Sequence, residues 1–101
     1  MSAFILGRLF VKNWDWYKEY RSATEALVAK HGGQYLVKGG NAEHLEGEAD
    51  APEAFVLIEF PSKQAAINWY NDPQYAPMIA LRRKAGVATD LSILEGVPSR
   101  S

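Results

Sequence analysis

Residues 4–11, "FILGRLFV", are apolar at nearly every position, and residues 54–60, "AFVLIEF", repeat that feature. A strand with one wet face alternates apolar and polar side chains, so both stretches predict strands buried on two faces. In the first, Phe4, Leu6 and Phe10 share one face while Ile5, Leu9 and Val11 share the other. In the second, Phe55 and Leu57 oppose Val56, Ile58 and Phe60. Between the two strands the period changes. Tyr17, Tyr20, Ala23, Leu27 and Val28 recur at helical spacing and predict a helix over 14–31. Asn13 is its expected N-cap, Asp15 favours the positive end of the helix dipole, and Gly32 suits the left-handed position past the end.

"GQYLVKGG" and "AEHLEG" predict two short strands separated by Gly39-Gly40, and residues 48–53 a polar loop. Ser62 is placed to cap a second helix that Asp72-Pro73 interrupts. Proline lacks the N–H of a continuous helix, so Pro73 is expected to open a new segment over 73–85. Residues 89–97 predict a last strand and 98–101 a tail, leaving 1–97 as one domain. The order β-α-β-β-α-β, with an extra hairpin, predicts an α+β, ferredoxin-like sheet with its helices on one face. Helices on one face leave the other uncovered. A second copy of the same sheet is the economical cover, so a homodimer is expected.

Composition narrows the partners. The chain has 101 residues, 48% hydrophobic, with 11 basic and 12 acidic residues and a net charge of −1. No overall field favours nucleic acid or an anionic membrane. No stretch approaches the ~20 apolar residues of a membrane span. The first residues lack the basic region and small-residue cleavage site of a signal peptide, so a cytoplasmic protein is expected. With no cysteine, disulfides and thiolate catalysis are excluded. His31 fits a helix C-terminus, His44 a polar strand, and neither belongs to a set with metal-ligand spacing. No metal and no cofactor are expected. Arg82-Arg83-Lys84 reads as a solvated helix end that offsets the dipole.

In order along residues 4–97, "WYKEY", "HGGQYLVKGG", "LEG", "VLIEFPS", "AAINWYNDPQY", "ALRR" and the final "LEGV" resemble the dimeric α/β-barrel superfamily. Within it they are similar to the domain-of-unknown-function 1330 (DUF1330) family. The resemblance implies two ferredoxin-like sheets packed face to face as a dimeric α/β barrel, with a small-molecule cavity. The superfamily includes monooxygenases, isomerases, haem-degrading enzymes and ligand-sensing domains; the narrower family has no established reaction. Where the family often has "RGG", this chain has Lys38 before Gly39-Gly40, which replaces a planar clamp by a point donor.

Glu59 is the candidate catalytic or ligand-orienting carboxylate, because a lone Glu among large apolar residues needs water, a cation or a cavity. Arg8 shares the face of Leu6 and Phe10 on a neighbouring strand, which makes an Arg8–Glu59 pair the expected charge partnership. Lys38 is the second candidate cation, and Trp69 and Tyr70 are candidate pocket walls. Each also has a plain reading: a structural ion pair for the charges, helix-to-sheet packing for the aromatics. Two functions stay open. One is a cofactor-independent enzyme acting on a hydrophobic carbonyl or aromatic compound; the other is a non-catalytic dimeric ligand-binding or stress-related module.

Overall fold

The strand with the most continuous apolar run lies in the middle of the sheet. In the computed structural model, which describes residues 2–48 and 50–97, β1 (Ala3–Phe10) pairs with two antiparallel neighbours. Helix α1 (Tyr17–Lys30) leads to β2 (Gln34–Gly39) and then β3 (Ala54–Phe60). Helices α2 (Lys63–Tyr70) and α3 (Ala76–Lys84) precede β4 (Ala88–Glu95). The sheet order is β2-β3-β1-β4, all antiparallel, and the fold is ferredoxin-like. Burial alternates along β1: Ala3, Ile5, Gly7 and Leu9 are buried, and the residues between them are half-buried. The buried face meets the helices, where Ile5, Ile58, Phe60, Val28, Leu27 and Trp69 form the main core. The other face carries Phe4, Leu6, Phe55 and Leu57 with no helix across it. Among the described residues, no helix is long and apolar enough to cross a membrane.

Three local expectations change. Helix α1 starts at Tyr17 without a side-chain cap. Asn13 instead closes the turn before it, accepting from the Asp15 N–H at 3.3 Å through Oδ1 and from Trp16 Nε1 at 2.7 Å through its carbonyl. The "AEHLEG" segment forms no strand, so the extra hairpin is absent; residues 40–48 are exposed and Asn41 has φ 56°. An isolated strand needs a partner edge and a covered face, and Leu45, 93% exposed, has neither. The predicted tail at 98–101 lies outside the described residues.

The break at Asp72-Pro73 is present, but the new helix opens at Ala76 with Pro77 in its first turn. Asp72 accepts from the Gln74 N–H at 2.9 Å with Oδ1, and its carbonyl accepts from the Tyr75 N–H at 2.8 Å, so Pro73 lies in a turn. Ser62 caps α2 as expected, its Oγ accepting from the Ala65 N–H at 3.1 Å.

Past the end of α1, Gly32 takes φ 79°, and the Gly33 N–H reaches the Val28 carbonyl at 2.9 Å. That closure needs a left-handed residue. It also delivers Lys30 Nζ at 2.9 Å and His31 Nε2 at 2.8 Å to Oδ2 of the buried Asp72. The hydrogen bond from His31, followed by those from the Gln74 amide and Lys30, holds the Asp72 carboxyl well below its usual range.

A depressed folded-state value stabilises the fold above the unfolded-state value, near 3.8, and that contribution disappears as pH falls towards the folded value. Asp72→Asn is therefore expected to lower urea stability at pH 7 and to flatten the decline of stability below about pH 4. Parallel pH profiles for variant and parent would contradict this role. Gly32→Ala is expected to destabilise by about 1–2 kcal/mol, the penalty of a β-carbon in left-handed backbone; an unchanged urea midpoint would contradict the motif.

Candidate functional site

Gly7 lets two neighbouring side chains converge on the inner face of β1. A β-carbon there would stand 2.5 Å from Val56 Cγ2 and 3.0 Å from Leu91 Cδ2, so these two side chains close over the position a larger residue would fill. On them rests a cavity of about 270 Å³ between the sheet and α1. Helix α1 supplies Tyr17, Tyr20 and Thr24 from one face, α2 supplies Trp69, and the turn before α3 supplies Tyr75. The aromatic rings fix one another. Trp69 lies with its centroid 4.7 Å from Tyr75 and 5.5 Å from Phe60, and the Tyr20 and Tyr75 hydroxyls are 2.7 Å apart. Burial pushes the Tyr75 and Tyr35 phenols well above their usual range, so both remain protonated donors.

Among the described residues, three buried polar atoms on this cavity's lining have no hydrogen-bond partner: Thr24 Oγ1, Trp69 Nε1 and Thr89 Oγ1. Buried polar groups are ordinarily satisfied, since each unmet one costs about 1–3 kcal/mol. Trp16 makes the contrast, because its indole N–H is satisfied by the Asn13 carbonyl. At the rim, Lys38 pairs with Glu25 and lies 4.6 Å from the Tyr35 ring centroid. Arg21 reaches the same Glu25 oxygen at 3.3 Å. The hydrogen bond from Lys38, more than that from Arg21, lowers the Glu25 carboxyl. The rim is thus charged but locally neutralised, and the interior is apolar with a few donors. Such a site suits a planar, mostly apolar molecule with hydrogen-bond acceptors.

The five residues singled out in the sequence do not form one site. Lys38 and Trp69 line the α1 cavity. Tyr70, next to Trp69 in the chain, lines a different cavity between α2, α3 and β4. Arg8 and Glu59 are on the opposite sheet face. There Phe4 stands across from Glu59, and Arg8 across from Phe55. Four residues of strand separate the two charges, on the order of 13 Å. The expected Arg8–Glu59 pair is therefore not formed: Arg8 reaches Asp90 Oδ2 at 3.4 Å and the Asp50 carbonyl at 3.1 Å. Glu59 accepts from Gln34 Nε2 at 3.3 Å.

The sequence reading missed Thr24, Tyr35 and Thr89 as cavity residues. A signal existed for Thr24, a hydroxyl four residues after Tyr20 on the apolar face of α1. Arg82 is the larger surprise: it is buried, with its guanidinium carbon 5.8 Å from the Tyr20 ring centroid. Its neighbour Arg83 is exposed, so the solvated helix end holds for Arg83 and Lys84 alone.

The tyrosine pair gives a direct check. Tyr20→Phe leaves the buried Tyr75 hydroxyl without this partner, and a loss of about 1–2 kcal/mol is expected in urea unfolding. Tyr75→Phe should behave similarly, and the double variant should lose less than the sum. Additive losses would show that the two hydroxyls do not depend on each other.

The chain belongs to the family described as domain of unknown function (DUF1330), which matches residues 2–97. Solved structures share its fold. A protein of unknown function from Rhodopseudomonas palustris, RPA0582, is 19% identical with a TM-score of 0.73, covering 95% of this chain and 82% of that one. A dimeric ferredoxin-like protein of unknown function from Jannaschia sp. CCS1 is 16% identical, TM-score 0.73, covering 95% and 100%. SnoaB, a cofactor-independent oxygenase from Streptomyces nogalater, is 15% identical, TM-score 0.65, covering 98% and 96%. Such identities show the fold alone. No curated protein is significantly similar in sequence.

Proposed function

We propose, for this member of a family without an assigned reaction, that the α1 cavity binds a small planar compound of ketone, quinone or phenol type. The observation that carries this reading is the set of unmet donors, Trp69 Nε1, Thr24 Oγ1 and Thr89 Oγ1, on an otherwise apolar lining. A carbonyl or phenolic oxygen satisfies them, and the ring body meets Val56, Ile58 and Leu91. The cavity's 270 Å³ limits the occupant to about one or two fused rings.

A second reading is a cofactor-independent oxygenase, which the fold shared with SnoaB favours. Substrates for such chemistry are held as enolates or phenolates, whose oxygen charge fixed N–H and O–H donors stabilise. The same donors serve both readings. Oxygen consumption with a bound phenol, abolished in Trp69→Phe, would favour the oxygenase; saturable binding without turnover would favour the binding module.

The apolar outer sheet face is the basis of a second part of the proposal. Leu6 and Leu57 stand side by side across β1 and β3, with Val37, 49% exposed, next to Leu57 and Leu94 across from Phe4. Structural relatives are described as dimeric. Two copies packed through this face, as a homodimeric barrel, would cover it.

Two measurements check these parts separately. Calorimetry with 1-naphthol is expected to give saturable binding that weakens about tenfold or more in Trp69→Phe, the loss of one buried hydrogen bond. Equal affinities would remove the ligand reading. Light scattering should give about twice the 11.2 kDa chain mass, and Leu57→Glu should lower it to one chain. A parent chain that scatters as a monomer over a wide concentration range would remove the dimer.

A further inference from the structure

The cavity between α2, α3 and the edge strand β4 has a volume of about 520 Å³ and an unusual charge. Arg82 lines it and is only 4% exposed. Its Nε is buried without a hydrogen-bond partner, and no carboxylate among the described residues forms an ion pair with it. The Tyr75 side chain is a neutral hydrogen-bonding neighbour of the guanidinium, and the Tyr20 ring, 5.8 Å away, lies near the outer limit of a cation–π contact, so neither supplies a counter-charge. Arginine does not discharge by losing its proton. A buried cation with no counter-charge is strongly unfavourable, so its retention points to an anion from outside the chain.

The surroundings say which kind. Arg83 lines the same cavity from its exposed side, adding a second positive group, and no acidic residue among the described residues lines it. Ile67, Val87 and Ile93 form an apolar part of the wall, beside the polar Asn71 and Ser92. A guanidinium beside an apolar wall matches a carboxylate with a hydrocarbon body better than a fully hydrated inorganic ion.

We propose that this cavity is a binding site for an organic monocarboxylate, its carboxylate held by Arg82 and Arg83 and its apolar body laid against Ile67, Val87 and Ile93. The site is separate from the α1 cavity, with Thr89 and Leu91 lying between the two. Its occupant supplies the charge that the protein leaves unmet at Arg82.

The test is an amide NMR titration of the full chain with benzoate, its neutral isostere benzamide, and inorganic phosphate. Benzoate is expected to bind saturably, shifting Asn71, Thr89 and Ile93, with benzamide about tenfold weaker or more for loss of a charge-assisted hydrogen bond, and phosphate about tenfold weaker or more for lack of an apolar body. Arg82→Met removes a buried charge without removing a protein ion pair, so the fold should hold; it should weaken benzoate about ten- to hundredfold. Arg83→Gln, at an exposed position, should weaken benzoate several-fold and decides the matter if Arg82→Met does not fold. Benzoate binding no better than benzamide, phosphate binding as tightly as benzoate, or shifts centred on Thr24 and Tyr35 would each overturn the proposal. A failure of naphthol to bind would leave this site unaffected, because it concerns the other cavity.

Discussion

The structure depends on one constraint: β1 is apolar on both faces and lies at the centre of a four-stranded sheet. One face receives α1, α2 and the core built on Ile5, Ile58 and Phe60. At Gly7 the sheet carries no side chain, and Val56 and Leu91 close over that position. The α1 cavity lies beyond those two side chains, between the sheet and the helices. The opposite face carries Leu6 and Leu57 with no helix to meet them, so the apolar surface that stabilises the fold on one side calls for association on the other.

Polar groups that the core leaves unmet divide the interior into two chemistries. Around the α1 cavity they are neutral donors from Thr24, Trp69 and Thr89, with Lys38 and Glu25 cancelling at the rim. Around the second cavity the unmet atom is Nε of the Arg82 guanidinium. Elsewhere the chain satisfies its buried polar groups carefully: Asp72, the principal buried carboxylate of the described core, receives His31, Lys30 and the Gln74 amide. A fold that satisfies Asp72 so fully and leaves Arg82 Nε without a partner is selective in what it leaves open. That selectivity is the physical ground for reading both cavities as binding sites.

The order of elements, the faces of β1 and β3, the Ser62 cap and the break at Asp72-Pro73 were all legible in the sequence, because each rests on a local rule. Strand register was not. Alternation fixes which face a residue takes, but a slip of two residues preserves every face. Arg8 could therefore be assigned to the side of Glu59 and still stand across from Phe55. The "AEHLEG" segment alternates convincingly, yet lacks a partner edge, a fact that only the assembled sheet reveals. Asn13 looked like a cap but serves the turn that turns Trp16 inward. Arg82 was misread because three basic residues at a helix end look solvated, whereas the burial of the first depends on how α3 meets Tyr20. The candidate site was thus legible in part: Trp69 and Lys38 fall in the α1 cavity, while its hydroxyl donors come from helix and strand positions whose convergence is tertiary.

The indole N–H resonance of Trp69 tests the central claim most directly. Trp16, whose N–H is already hydrogen-bonded within the chain, provides an internal reference in the same spectrum. On titration with a planar ketone or phenol, the Trp69 resonance is expected to move downfield and saturate while that of Trp16 stays in place. A Trp69 resonance that does not move while ligand binds elsewhere would contradict the claim that the unmet donors of the α1 cavity define its function.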